Sequence, residues 1–428
     1  MSETSENLCH MYTLPAEILL NIFIYLPAKD LTKCREVCVR WNLIIDGLAR
    51  SDDLWSKYCK QDFSKVYQIA RRKAKPGLLW YNLYRSLALW QRLIESREDT
   101  DEFASASSLR EEIRNFEILG NGVLGVHKKA AIVYYDIETL QESKRRSITG
   151  DFSRYTENEH VIIILSFHLH LFLIRKELFD LSKEESNVTF DNVKLYTLTE
   201  NALYFVNLQD QIYVCNYFDD KNKKLGGTFL LKSEDGIMSL GFSDGHLNVL
   251  TFQRNIYTVI NNDLVFKCTL GPDSNLLHQL QRYNFLEQLD WRVYFQWMYV
   301  LNHTIPEGPL RDIIIVRPYG DVYFVGSNWG VLRIYYAPYT AGEFNIFDTQ
   351  PIKQYNFMER SDCPVLSTCP ILQVDVFEGE DGHTVIVAMP KKIAVLSFTH
   401  MFKRTASLAM LPYSEVQKVK YMKISQSS

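Results

Sequence analysis

Between Ala16 and Leu26 nearly every position is apolar; Glu17 and Asn21 alone interrupt the run of Ile18, Leu19, Leu20, Ile22, Phe23, Ile24, Tyr25 and Leu26. Such a segment reads as a helix that must be covered on all sides. Pro15 suits its first turn, where a missing N–H costs nothing, and Pro27 ends it. Asp30 is placed to cap a second helix, in which Leu31, Cys34, Val37, Cys38 and Trp41 recur at spacings of three and four as one narrow stripe. Ser51 is placed to cap a third that presents Leu54, Trp55 and Tyr58. A further helical stretch, rich in aromatics ("LLWYNLYRSLALW") and broken at Pro76-Gly77, runs to about Glu95. The polar "ESREDTDEFASASSLREE" then reads as an exposed connection.

Beyond Phe116 the period changes to two. Short alternating segments such as "LYTLTENALYFVNLQDQIYVCNY" and "DIIIVRPYGDVYFVGSNWGVLRIYY" are separated by polar or glycine-bearing turns. One ambiguous piece, "LLHQLQRYNFLEQLDWRVYFQWMYVLNH", predicts a helical turn before its strand. Matching elements at Val123, Val161, Tyr196 and Ser239 recur at the spacing of four-stranded propeller blades, and the length available gives about seven. A two-sheet sandwich fits less well, because strands so evenly spaced favour radial repetition.

Composition narrows the class. The 428 residues are 46% hydrophobic and 23% charged with a net charge of −4, ordinary for a globular protein and no argument for nucleic-acid binding. Eight irregularly spaced cysteines form no disulfide framework and read as reduced thiols. The acidic start "MSETSEN" is unlike a signal peptide, and "VIIILSFHLHLFLI" is too short to span a bilayer, so a cytoplasmic or nuclear protein without membrane attachment is expected. Asn187-Val-Thr and Asn302-His-Thr then match the glycosylation pattern by chance.

Chemical motifs are few. "GNGVLG" (Gly120 to Gly125) fits a dinucleotide pattern but is followed by "VHKKAAIVYYDI", a β-hairpin rather than the helix that phosphate binding requires. Cys34 and Cys38 lie one turn apart on an apolar stripe with no second ligand pair, so they read as buried thiols. His168 and His170 share a strand face or a hairpin turn and have no assignable acidic partner. The basic run Arg71 to Lys75 reads as a solvated helix face rather than a phosphate contact. No catalytic constellation, metal set or cofactor motif emerges, and a non-enzymatic binding protein is expected.

The order Leu14-Pro15, Glu17-Ile18-Leu19, Ile22-Phe23, Tyr25-Leu26, Asp30-Leu31, Cys34, Val37-Cys38, Trp41 and Leu54-Trp55 resembles the F-box nearly position for position, over about a tenth of the chain. The resemblance implies a three-helix module that docks on the Skp adaptor, and through it on the cullin and RING subunits, of SCF-type ubiquitin ligases. It implies adaptor contacts among Leu14, Pro15, Ile18, Leu19, Ile22, Phe23, Leu26, Leu31, Cys34, Val37, Cys38 and Trp41. Beyond it, the chain resembles WD-type propellers in period and rhythm alone; the Trp-Asp signature is absent. The expected architecture is α+β and multidomain: a polar tail (1–10), the F-box module (11–63), a helical linker (64–95), a polar connection (96–115), an all-β propeller (116–411) and a C-terminal segment (412–428). The expected function is that of a substrate receptor that holds a protein substrate on the β domain. Arg254, Arg317, Trp329 and Arg333, in or beside turns and strand ends, are the substrate-binding candidates. A scaffold without substrate turnover and a propeller enzyme with a helical extension remain as alternatives.

Overall fold

The computed structural model describes residues 14–176, 187–218, 225–271, 276–286, 313–338, 346, 349–357, 370–380 and 382–400. The tail 1–10, the segment 412–428 and the strand expected in "DWRVYFQWMYVLNH" lie outside them.

The N-terminal module has four helices rather than three: α1 (Ala16–Phe23), α2 (Ala28–Cys34), α3 (Val39–Leu48) and α4 (Asp52–Asp62). Pro27 both follows α1 and occupies the N-cap of α2, so Asp30 falls in the first turn instead of at the cap. The stripe predicted as one helix is cut at Cys38. That residue is extended, and its Sγ accepts the Trp41 N–H at 3.5 Å to start α3. The α2–α3 corner is held by the buried Arg35, which reaches Asn42 Oδ1 (3.1 Å), Asp46 and the Tyr81 hydroxyl (3.0 Å).

Two more helices follow, α5 (Tyr67–Arg72) and α6 (Trp80–Leu89), with a 3-10 turn over Trp90–Glu95. The two faces of α6 have different partners. Tyr84, with Trp80, Tyr81 and Ala88 packed beside it, joins the core of the four helices; Leu83, Leu87 and Trp90 join the β domain. Trp55 meets Tyr81 edge-on at 4.7 Å and Tyr84 at a tilt at 5.3 Å, which seats α4 on α6.

The β domain comprises six four-stranded antiparallel sheets among the described residues. The first takes β2 (Ile113–Ile118), β3 (Val123–Lys128), β4 (Ala131–Asp136) and β5 (Ile148–Thr149). The second takes β6 (Phe152–Glu157), β7 (Val161–Ser166), β8 (Leu171–Arg175) and β9 (Asn187–Phe190). The third takes β10 (Val193–Leu198), β11 (Ala202–Asn207), β12 (Gln211–Asn216) and β13 (Thr228–Lys232). The fourth takes β14 (Ile237–Ser243), β15 (His246–Thr251), β16 (Asn255–Ile260) and β17 (Asp263–Thr269). After α7 (Leu276–Arg282) the fifth takes β18 (Ile313–Tyr319), β19 (Val322–Ser327), β20 (Val331–Tyr336) and β21 (Lys353–Asn356). The sixth takes β22 (Gln373–Glu378), β23 (Gly382–Ala388), β24 (Ile393–Thr399) and, as its outer strand, β1 (Arg97–Phe103).

Each sheet shares a buried apolar cluster with the next, and the sixth shares one with the first, through Phe377 and Ile386 against Phe116 and Val126. First strands face one another around a central channel. This is the arrangement of a β-propeller. Its closure corrects the reading of 96–115: β1 pairs antiparallel with β24 from Arg97↔Thr399 to Phe103↔Ile393, so the ring begins before Phe116.

Against the expectation of about seven blades, six are present among the described residues. First strands begin at Ile113, Phe152, Val193 and Ile237, the expected interval, but the next two begin only at Ile313 and Gln373. Among the described residues α7 stands in the first of these longer intervals, where its Leu280, with Phe285 just after it, packs between the fourth and fifth blades. The sequence anchors were not equivalent either: Val123 and Val161 lie on second strands, Tyr196 and Ser239 on first strands. The repeat that does hold is a β-bulge near the start of five first strands, between Ile113/Asn115, Phe152/Arg154, Val193/Leu195, Ile237/Ser239 and Ile313/Ile315. Each bulge adds twist where the strand enters the ring.

Candidate protein-interaction surfaces

The first surface is on α1. Leu19 and Phe23, one turn apart, face inward with Trp41, whose ring meets Phe23 edge-on at 5.2 Å, and with Leu31 and Ile45. Ile18, Ile22 and Tyr25 form a second apolar stripe that is exposed, Tyr25 at 83%. Pro15, Val37, Val39 and Leu43 are exposed as well. Arg40 donates to the Leu14 carbonyl at 2.5 Å, which brings the start of α1 beside the start of α3. Of the expected adaptor contacts, Pro15, Ile18, Ile22 and Val37 are exposed, and Leu14, Leu26, Cys34 and Cys38 are half-buried. Leu19, Phe23, Leu31 and Trp41 are buried in the module's own core, where packing among themselves leaves them almost no free surface.

The helices are riveted to one face of the ring. Lys75 N–H donates to the Glu378 carbonyl at 2.9 Å, Val66 abuts Gly320, and Pro76 lies against Gly122. All three contacts fall at turns between first and second strands. Gly122 (φ +76°) lets its turn close while keeping room for the proline. Arg71, Arg72 and Lys75 of the basic run are exposed, as expected of a solvated face, but Lys73 and Lys75 also reach the ring: Lys73 pairs with Asp375 and Lys75 with Glu138 at 2.7 Å, while Arg71 stacks over Trp80 at 4.9 Å.

At the centre of the joint is Glu378, fully buried. It accepts from Ser86 Oγ (2.5 Å), Trp90 Nε1 (2.9 Å) and the Tyr319 hydroxyl (2.8 Å), and pairs with His383 Nδ1 at 2.8 Å. Burial opposes its ionisation, but the His383 imidazole and the bonds from His383, Ser86 and Trp90 outweigh burial and hold the carboxyl below its usual range. The Trp90 indole stacks on His383 with 3.9 Å between centroids.

The second surface is the opposite face, where turns join second to third strands. In four successive blades this turn is built alike. Ser166, Asn207, Thr251 and Ser327 each accept, through the side chain, the N–H of the residue four places on: His170, Gln211, Asn255 and Val331. The residue before that donor, Leu169, Asp210, Arg254 or Gly330, has a positive φ. The turn thereby lifts one large apolar side chain into solvent in each blade: Phe167, Leu208, Phe252 and Trp329, all at least half exposed.

The four substrate-binding candidates separate. Arg254 and Trp329 occupy equivalent turns of the fourth and fifth blades, on this face. Arg317 lies on first strand β18, 3.8 Å from Asp375, and lines the central channel, a cavity of about 390 Å³. Lys73, Arg114 and Arg154 also line that cavity, so its four cations outnumber Glu117 and Asp375. Arg333 is corrected to an internal residue: it is buried on third strand β20 and donates to Gln354 Oε1 at 3.0 Å. Phe167, Leu208 and Phe252 were missed. The repeated Ser, Asn or Thr three residues before a left-handed position was the signal that marks them.

His170 pairs with Asp191 at 2.7 Å in a hairpin turn, and the apolar "VIIILSFHLHLFLI" is the β7–β8 hairpin. Among the described residues no helix is long and apolar enough to cross a membrane.

The F-box-like family matches residues 11–61. No curated protein matches the chain. Solved structures similar to it include the β-propeller domain of Myceliophteria thermophila Cps50 (Swd1), with 10% identity and a TM-score of 0.35 over 72% of this chain and 90% of that one. The N-terminal domain of Nup159 gives 11%, 0.35, 68% and 76% in the same order. Kluyvelomyces marxianus Hsv2 gives 12%, 0.31, 70% and 77%. The chain carries an F-box-like domain at residues 11–61, followed by a propeller-like region built of four-stranded antiparallel sheets.

Proposed function

We propose that this chain is the substrate-recognition subunit of an SCF-type ubiquitin ligase. The F-box-like module binds a Skp-type adaptor through the exposed stripe of α1, and the adaptor links it to the cullin and RING subunits. A protein substrate is captured on the face bearing Arg254, Phe252 and Trp329. The observation that carries this reading is the placement of the two apolar surfaces at opposite ends of one joined body. Each is available while the other is occupied.

The chain then contributes no bond-making group of its own. It raises the local concentration of substrate lysines at the ligase, where other subunits transfer ubiquitin. Apolar and arginine side chains at the capture face concentrate binding energy because they offer large rigid area or fixed donors. A scaffold without turnover would use the same two surfaces, so turnover separates the readings. Affinity purification with the proteasome inhibited should recover proteins with the wild-type chain that a Phe252→Ala/Trp329→Ala variant loses, with adaptor recovery equal. Those proteins should accumulate when the chain is removed. Stable levels on removal would favour the scaffold, and equal recovery by the variant would move capture to another surface.

A further inference from the structure

The joint between the module and the ring encloses a cavity of about 310 Å³, separate from both surfaces described above. One wall is the α4–α5 turn with α6, and the other is the β18–β19 turn with the end of β20. Phe63, Trp90, Tyr319 and Tyr336 line it, and Asp62 and Asp321 stand at it with one lysine, Lys65. Its size is at the small end of ligand pockets. Its lining is selective. Aromatic rings present negative faces to a cation, and two carboxylates against one ammonium leave a net negative charge. Tyr84 donates to Asp62 Oδ2 at 2.7 Å, which fixes that carboxylate at the rim. Burial, and then the charge of Asp321 beside it on the same wall, raises the pKa of the Tyr336 hydroxyl, so the Asp321 field acts on the ring side of the cavity.

We infer that this cavity binds a small organic cation of the alkylammonium class, with its apolar body against the aromatic residues and its charge toward Asp62 and Asp321. Because one wall belongs to the module and the other to the ring, an occupant touches both and stabilises the docked joint in proportion to its affinity. The site does not depend on the ligase reading. A neutral or anionic molecule of the same shape gains the apolar contacts but not the charge term.

The test uses the full-length chain and two probes of equal shape, choline and its uncharged isostere 3,3-dimethylbutan-1-ol, followed by saturation-transfer NMR. Choline should bind saturably and at least tenfold more tightly than the isostere, and Asp321→Asn should cut choline affinity about tenfold. The isostere comparison needs no variant, so it stands even where a substitution loosens the joint. Choline should also slow amide exchange in α6. A peptide bearing trimethyl-lysine separates the two sources of such a cation: tighter binding than choline assigns it to a side chain, weaker binding to a free amine. Equal binding of choline and the isostere, or no saturable choline signal below about 10 mM, overturns the inference.

Discussion

Replacing Glu378 by glutamine tests how the two halves of the molecule are held together. The carboxylate takes Trp90 and Tyr319 on one oxygen and Ser86 and His383 on the other, with nothing of the group exposed to solvent. An amide keeps the shape but replaces one oxygen with an NH2 that cannot accept. Whichever way it turns, one ring N–H, from Trp90 or His383, faces a donor. The hydroxyl beside it can rotate and accept, so only one bond is lost outright. Hydrogen bonds to a buried charged acceptor are worth about 1.5–3 kcal/mol, and an orphaned buried donor costs about 1–3 kcal/mol. Combining one lost bond with weakening of the rest gives about 3 kcal/mol. That corresponds to roughly a hundredfold in an opening equilibrium. Hydrogen–deuterium exchange on the full-length chain reads this locally. Amides of α6 and β23 should exchange about a hundred times faster, while those of α3 and β11, which do not touch the cluster, keep their rates. If α6 protection changes by less than about threefold, the carboxylate does not hold the joint and the reasoning fails.

Other outcomes follow from the same contacts. Deleting residues 97–103 strips β24 of its outer partner, and the Glu98 bond to Tyr355 (2.6 Å) and pair with Lys353 go with it; the product should be protease-sensitive or insoluble, and a stable trimmed domain would refute ring closure by β1. His127 and His400 are both held down at about 4, chiefly by burial and then by neighbouring positive groups. The unfolded chain therefore takes up protons first, and stability falls as pH drops from about 6.5 to about 4, by roughly 3 kcal/mol per histidine at most. Urea midpoints across that range should decline, and His127→Gln should flatten the decline; a flat wild-type profile would contradict it.

The sequence exposes what is local and hides what depends on distant partners. The F-box-like module was legible because helix spacing and the pairs Leu14-Pro15 and Leu54-Trp55 are short-range signals. The break at Cys38 was not, since a thiol capping a helix leaves the apolar spacing intact. β1 reads as a linker because an outer strand has both faces wet: "REDTDEF" buries only Phe103. Its charges look like disorder until Lys353 and Lys392 are brought to Glu98 and Glu102 by the fold. The longer spacing before the fifth and sixth blades was hidden for another reason, as length alone cannot tell residues spent on a helix such as α7 from residues spent on strands. Trp329 was placed at a turn by residue type, as the structure has it, while Arg333 was misplaced because strand register decides whether an arginine points into a blade. Phe167, Leu208 and Phe252 needed the turn repeat, which shows in hydrogen bonds before it shows in letters.

The central claim is that the exposed stripe of α1 fastens this chain to a ligase adaptor. Calorimetric titration of the purified full-length chain with a Skp-type adaptor tests it most directly, alongside an Ile18→Asp/Ile22→Asp variant that leaves Leu19 and Phe23 to hold the module's core. Each large apolar side chain buried at the contact is worth about 1.5–3 kcal/mol. The account predicts saturable one-to-one binding by the wild type and at least a hundredfold loss in the variant; no binding by the wild type, or equal binding by the two, would contradict it.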